Sequence, residues 1–531
     1  MCPAQQARIT PVGAFHCTVQ PMSETLNSTP MGVAITKRQL YMVFGGVISG
    51  LALSALDGTI VNTAMATIVG ELGGIKYYAW VGTAYMLTST TSTPLFGKLS
   101  DLYGRRILFQ AAIIIFAIGS VLCGISQTMW QLVVSRGVQG IGGGGLLAVA
   151  FAIIGDVVAP RERGKYMGLI TSIFTFSSVV GPLLGGFIVD NTSWRWIFLV
   201  NVPVAAVAIV ITNKALKLPF VRQPRKVDFM GAALLVFAVT SLLLGLSWTG
   251  DEYGWTSTPT LAFFAAAIVG TVLFIRWEAK APEPIIPLSM LTIDTVKVVV
   301  PLMILIGAVF YGANAFMPLF LQGVTGVSAT NSGLLLVPMA VSVAITATWV
   351  GRITSRTGTY KMWSPLGCAV SVVGFGMASF LDSSNGYVYL AMAASFILGI
   401  GMGMIMPTGT LAVQNAVEPK EMGTASSVVV FMRQLGGAVG LAAYGALFAN
   451  QLNGRIDPEL VQAPRMIREL PSPVREQALD ALTHAIVIVF RAAVPLVVIG
   501  FVVALAMPNR PLRSAPAMKT DGPSDPASTG H

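Results

Sequence analysis

Residues 137–145 read Gly-Val-Gln-Gly-Ile-Gly-Gly-Gly-Gly, and 259 positions later residues 396–404 read Phe-Ile-Leu-Gly-Ile-Gly-Met-Gly-Met. The glycines at 140, 142 and 144 fall on those at 399, 401 and 403. At the same spacing Pro160-Arg161-Glu162-Arg163-Gly164 meets Pro419-Lys420-Glu421-Met422-Gly423, and Gly181 meets Gly440. Upstream, the eight residues from Gly97 to Gly104 meet those from Gly351 to Gly358 at a spacing of 254. A chain with 55 glycines throws up isolated matches. Four in the same order are an internal repeat.

Both copies lie in apolar surroundings. Of 531 residues, 54% are hydrophobic and 11% charged, and the mean hydropathy is +0.73. Globular domains carry about 25% charged residues, and a chain this poor in charge cannot cover a water-exposed surface. A soluble enzyme is excluded. The apolar residues come in blocks of about 20, the length that spans a bilayer. Fourteen such blocks cover residues 40–68, 79–96, 107–125, 129–157, 165–189, 196–211, 229–246, 259–275, 297–321, 332–350, 362–380, 387–413, 424–448 and 485–507.

An even number of spans puts both termini on one side. With the N-terminus inside, 24 Lys/Arg fall in inner segments and six in outer ones, four of these in a single long loop. The positive-inside rule therefore makes both termini cytoplasmic, in the cell (plasma) membrane. The same residues explain most of the net charge of +10, and with no basic run or aromatic patch a nucleic-acid partner is not expected. Cys2, Cys17, Cys123 and Cys368 form no C-x-x-C pair, so neither a disulfide frame nor a metal site is expected. The first 36 residues hold no apolar core and do not read as a signal peptide; Met22 is an alternative start.

The repeat relates spans 1–6 to spans 9–14 and leaves spans 7–8 as an insert. The expected fold is an all-α integral membrane protein with 14 transmembrane helices, arranged as two pseudo-symmetric six-helix bundles plus two inserted helices. In order these are a disordered cytoplasmic N-tail (1–38), an N-terminal bundle (39–220), the insert (221–296), a C-terminal bundle (297–507, with an outer loop 450–484) and a disordered cytoplasmic C-tail (508–531). In that outer loop Ser472-Pro473 reads as an N-cap followed by an N1 proline, opening a helix that runs into the last span. Parallel six-helix repeats imply two bundles that rock about a site between them, which is a transporter design.

The loop after span 2 reads Gly97-Lys98-Leu99-Ser100-Asp101-Leu102-Tyr103-Gly104-Arg105-Arg106. Its glycines allow a tight turn, and Asp101 can pair with Arg105 or cap a helix N-terminus. This segment resembles the cytoplasmic loop motif of the major facilitator superfamily, G-x-L-x-D-x-x-G-R-R/K. The resemblance implies that Asp101 and Arg105 latch the two halves together and release during transport. Ser355 stands where Asp101 would in the second copy, so a weaker latch is expected there. Asp156, near the inner end of span 4, is a candidate partner for Arg105.

Span 4 carries Arg136 and Gln139 in Arg-Gly-Val-Gln-Gly. An intramembrane arginine costs several kcal/mol unless it is paired or lines a wet cavity. Arg136 lies about seven residues, or ~10 Å, from the outer end; its repeat partner is Ser395, so the fold alone does not require the charge. Snorkelling is the plain alternative. In span 1, Leu56-Asp57-Gly58-Thr59-Ile60-Val61-Asn62 places Asp57 about 17 residues, or ~25 Å, from the inner end, near the depth of Arg136. A carboxylate there can exchange protons, or form a static strut with the arginine. The R-x-x-Q-G run resembles the superfamily's span-4 motif, associated with proton coupling. The L-D-x-T-I-V-N run resembles the span-1 signature of its fourteen-span drug:proton antiporters. These resemblances imply a multidrug efflux type in which Asp57 carries the proton and Arg136 is its partner.

Span 5 holds Gly181-Pro182-Leu183-Leu184-Gly185-Gly186, which resembles the superfamily's antiporter motif and implies an exporter; Ser177 departs from its usual glycine. Arg433 in span 13 either faces the cavity or ties helices together. Arg491 and His484 share a face of the last span, where packing or headgroup contact is expected. Candidate cavity residues are Asn62, Tyr85, Gln139, Tyr311, Asn314, Phe316, Met404, Met406, Phe431, Arg433 and Gln434. Such aromatic, methionine and amide side chains suit amphipathic small molecules.

The expected function is proton-coupled antiport that exports drugs, dyes or related amphipathic compounds by alternating access. Export of a lipid or endogenous metabolite, or proton-coupled uptake, are the alternatives. The expected partners are the substrate, protons and the bilayer, with the chain acting as a monomer and the proton gradient in place of any cofactor. No nucleophile–base pair reads as an enzyme site: the histidines are His16, His484 and His531.

Overall fold

The computed structural model describes residues 37–72, 78–158, 162–216, 228–251, 254–327, 329–382, 387–418, 421–452 and 471–512. Nearly all of both tails and most of the outer loop 450–484 lie outside these ranges, as do the side chains of Asn62 and Pro182. Among the described residues there are fourteen helices of fifteen residues or more: α1 Lys37–Leu72, α2 Tyr78–Tyr103, α3 Arg105–Gly124, α4 Met129–Val157, α5 Arg163–Asn191, α6 Asn201–Ala215, α7 Phe229–Asp251, α8 Thr258–Glu278, α9 Asp294–Leu319, α10 Ala329–Thr357, α11 Trp363–Ala378, α12 Tyr387–Ala416, α13 Met422–Leu452 and α14 Val474–Leu505. Each coincides with one expected span. Among the described residues eleven helices are long and apolar enough to cross a membrane. Helices α2, α5 and α11 are not among them: α2 is diluted by the hydroxyl run from Thr88 to Thr93, and α11 has 16 residues. The last helix starts at Val474 with Pro473 as its N-cap residue, one position after the expected start.

Packing follows the repeat. In the first half α4 lies against α2 and α3, and α1 lies against α5 and α6; in the second, α12 lies against α10 and α11, and α9 against α13 and α14. Across the halves α5 packs on α10 and α2 on α13, while α7 and α8 pair with each other and α7 touches α2 and α13.

The glycines of the repeat explain why these helices lie so close. A Cβ on Gly142 would sit 2.5 Å from the backbone nitrogen of Phe116 on α3, and one on Gly401 would sit 2.7 Å from the Gly367 carbonyl on α11. On the other faces, Gly140 and Gly144 abut α2 at Tyr85 and Ser89, and Gly399 and Gly403 abut α10 at Met339 and Val343. Lipid gives no hydrophobic force between helices, so backbone contact through small residues supplies the packing energy. Gly181 and Gly440 repeat the device, seating α5 on α1 at Thr59 and α13 on α9 at Ala308.

A side chain at Gly142 must force α3 and α4 apart, and overpacking costs about 1–3 kcal/mol or more. Gly142→Val is therefore expected to lower the melting temperature and the monodisperse fraction in size-exclusion chromatography. Gly376→Ala on α11, where a Cβ meets nothing within 4 Å, should leave both unchanged. Equal behaviour of the two variants would contradict the packing account.

Candidate functional site

Among the described residues Asp57 is the most enclosed charge, with 0% of its surface exposed. Its Oδ2 pairs with Arg136 Nη1 at 2.5 Å. Its Oδ1 accepts from Gln139 Nε2 at 2.8 Å and from Asn201 Nδ2 at 3.2 Å. Ser120 Oγ on α3 is 2.7 Å from Gln139 Nε2 and 3.3 Å from Asn201 Nδ2 and accepts from both. Arg136 also donates to Gln139 Oε1 at 2.6 Å and to the Val81 carbonyl at 3.4 Å. Four helices thus converge on one carboxylate: α1 brings Asp57, α4 brings Arg136 and Gln139, α6 brings Asn201 and α3 brings Ser120. Residues Arg136 and Gln139 can meet Asp57 together because three residues along a helix share a face. Burying both charges is costly, and the network offsets it by giving each carboxylate oxygen a donor.

Tyr85 of α2 covers this node. Its ring centroid lies 4.3 Å from the Arg136 guanidinium carbon, a cation–π contact, and its hydroxyl is 2.9 Å from Ser54 Oγ. Tyr311 of α9 lies against Gly437 of α13, one turn beyond Arg433. Tyr85, Tyr311 and Arg433 are all half-buried. Polar side chains thus run from Asp57 through Arg136 to Tyr85 in the first half, and Tyr311 and Arg433 lie one turn apart along the contact of α9 with α13 in the second.

The second cluster closes the end that carries Lys37 and Leu512. Asp101 accepts from the backbone nitrogens of Gly423 (3.2 Å) and Thr424 (2.9 Å) and from Thr424 Oγ1 (2.8 Å). It therefore caps α13, a helix of the other half, where an anion is favoured by the unpaired N–H groups of the first turn. Arg105 Nη2 holds Asp101 at 2.5 Å, its Nε holds Asp156 at 2.6 Å, and its Nη1 donates to Ser100 Oγ at 2.6 Å. Gly104 makes the turn between α2 and α3 with φ of 96°, which favours glycine. Gly97 lies against Ser427, and neither Gly97 nor Gly423 has room for a side chain. In the second copy Ser355 donates to Gly351 of its own helix at 2.8 Å. The geometry of the latch is thus unequal between the halves.

Several expected positions need correction. Arg106 stands apart from the cross-half contact and donates to Asn213 Oδ1 on α6. Gln139, expected in the cavity, is 0% exposed and spends its amide on Asp57 and Ser120. Phe316 packs on Phe448 with ring centroids 5.4 Å apart, Phe431 lies in the core of the second half, and Met404 packs with Val350 and Trp363. Met406 is half-buried against that same core. These apolar side chains gain more from filling the helix junctions than from facing an opening. Asn314 is exposed and donates to the Phe310 carbonyl of its own helix, while Gln434 is buried and accepts from Thr93 Oγ1 of α2 at 3.4 Å. Gly181 and Gly185 seat α5 on Thr59 and Ile60 of α1, whereas Gly186 has open space beside it. Asn201, Ser120 and Ser54 were not found from the sequence. An Asn inside an apolar span was the available signal for Asn201.

A family model described as Major Facilitator Superfamily matches residues 47–441. The chain is 39% identical over 435 residues to the "Multidrug transporter protein MdtP" of Bacillus subtilis, covering 81% of this chain and 79% of that one. It is 34% identical over 482 residues to "Multidrug resistance protein 3" of the same organism, covering 87% and 94%. Among solved structures, that of the proton:xylose symporter XylE superposes with a TM-score of 0.60 at 13% identity, covering 89% of this chain and 96% of that one. This last likeness concerns the fold.

Replacing Asp101 by Ala removes the cap and the Arg105 partner together, so the first turn of α13 should open. Hydrogen exchange of peptides covering Gly423–Ser427 is expected to speed up by at least tenfold, while peptides around Asp57 stay unchanged. Unaltered exchange in α13 would show that the cap does not hold that end closed.

Proposed function

This chain belongs to the major facilitator superfamily, and we propose that it is a proton-driven antiporter that exports amphipathic small molecules by alternating access. One observation carries the reading: Asp57 is sealed, and N–H donors meet both of its oxygens. A neutral carboxylic acid carries an O–H, which faces a donor where the carboxylate had an acceptor. Protonation therefore leaves the Arg136 charge without its anion and adds an O–H among groups that donate to Asp57. The node can satisfy either protonation state only by shifting α1, α4 and α6 relative to one another. That ties a proton to a helix arrangement.

Tyr85 transmits the shift, since its ring rests on Arg136 while its hydroxyl meets Ser54 of α1. At the latch, the cap that Asp101 places on α13 holds the two halves together at one end. Releasing that cap while the opposite end closes alternates access to the centre. In this reading the fourteen helices span the membrane as two six-helix bundles with α7 and α8 inserted, both termini and the latch are cytoplasmic, and the monomer needs no cofactor beyond the proton gradient. Protons enter from outside as substrate leaves. The multidrug names of the two Bacillus relatives support the substrate class.

Asp57→Asn is expected to abolish pH-gradient-driven efflux of amphipathic dyes of either charge from reconstituted vesicles. Because that variant strands Arg136, at a cost of about 3–5 kcal/mol, Asp57→Asn/Arg136→Gln restores charge balance and should fold like the wild type yet remain uncoupled. Uphill efflux retained in either variant would remove Asp57 from the mechanism.

A further inference from the structure

Among the described residues the three buried arginines all have partners, as does the exposed Arg491. Arg136 has Asp57, and Arg105 has Asp101 and Asp156. Arg163, at the junction of α4 and α5, donates to the carbonyls of Val158 at 3.0 Å and Gly155 at 2.5 Å. On α14, Arg491 donates to the Ser379 carbonyl at 3.2 Å. Arg433 differs. Among the described residues no carboxylate lies within 4 Å of it and no acceptor takes its N–H groups; its electrostatic neighbour is Tyr311. An unpaired guanidinium inside a helix bundle is costly, so its presence calls for a partner that the described residues do not supply.

Its surroundings point inward. The Arg433 carbonyl lies against Gly307 of α9, Gln434 beside it accepts from Thr93 of α2, and Gly437 one turn on carries the Tyr311 ring. Arg433 therefore sits where α13 meets α9 and α2, half-buried, one turn from the Gly437 that carries Tyr311. Asn314 lies three residues beyond Tyr311 on the same face, and its amide oxygen is uncommitted.

We propose that Arg433 anchors the anionic head group of the substrate, which makes the transported class amphipathic organic monoanions. This rests on the export reading above and narrows it. A planar guanidinium with five donors grips a carboxylate or sulfonate in two parallel hydrogen bonds, and no internal acceptor competes for them here. The tyrosines offer ring faces to the apolar body. A single cation matches a single negative charge, whereas a polyanion leaves charge uncompensated. A cationic substrate finds no equivalent partner in Asp57 or Asp156, which are both buried and already paired with arginines.

Dansylglycine and dansylcadaverine share a fluorophore and carry opposite single charges. Each is titrated into the purified full-length chain in lipid nanodiscs at pH 7 with no gradient, and empty nanodiscs are subtracted. Dansylglycine is expected to bind at least tenfold more tightly than dansylcadaverine. Arg433→Gln is expected to weaken dansylglycine at least tenfold and dansylcadaverine less than twofold. Arg433→Lys keeps the charge without the fork, should recover part of the affinity, and serves alone if Arg433→Gln does not elute as a folded monodisperse peak. Equal binding of the two dyes by the wild type, or unchanged dansylglycine affinity in both variants, overturns the proposal. Parallel loss of both dyes also overturns it and makes Arg433 a packing residue. Since no gradient is present, failure here leaves proton-driven export standing, and failure of the Asp57 test leaves the Arg433 anchor standing.

Discussion

Everything in this structure is arranged around the cost of holding charge away from water. In a low-dielectric interior a lone carboxylate or guanidinium is worth several kcal/mol of instability, and lipid offers neither water nor polar groups to offset it. The chain meets that cost at two places with complete networks, the Asp57 node and the Asp101–Arg105–Asp156 latch. Each combines an ion pair with hydrogen bonds from neighbouring helices.

Those networks require helices that approach within backbone contact, and the glycine repeat provides it. Gly119 of α3 lies against Gln139 with no room for a side chain, which brings Ser120 into reach of the Asp57 node. The same spacing in the second half gives equally close helices but no charges: Ser395 stands where Arg136 does and Ser355 where Asp101 does. The repeat thus supplies a symmetric frame, and the chemistry is placed on one side of it. The second half contributes the helix N-terminus that Asp101 caps and the unpaired Arg433.

The sequence made the frame readable and the interior only partly so. Span positions follow from apolar block length, and the Asp57–Arg136 pairing from counting residues to equal depth, because both depend on one helix at a time. Asn201 and Ser120 escaped because a single polar residue in an apolar span gives no sign of which neighbour it meets. Gln139 was assigned to the cavity because its residue type suits either role; only the approach of α3 and α6 decides. The burial of Phe316, Met404 and Phe431 was unreadable for a related reason. Helices such as α12 are apolar all round, so periodicity does not tell the face turned to a neighbouring helix from the face turned to an opening.

The central claim is that substrate binding and the proton on Asp57 exclude one another through the Arg136 node. Proton release on substrate addition, measured in weakly buffered solution on the purified chain, tests this without any gradient. The account predicts release from the wild type, and none from Asp57→Asn/Arg136→Gln at a substrate concentration that still saturates it. Equal release from both proteins would contradict it.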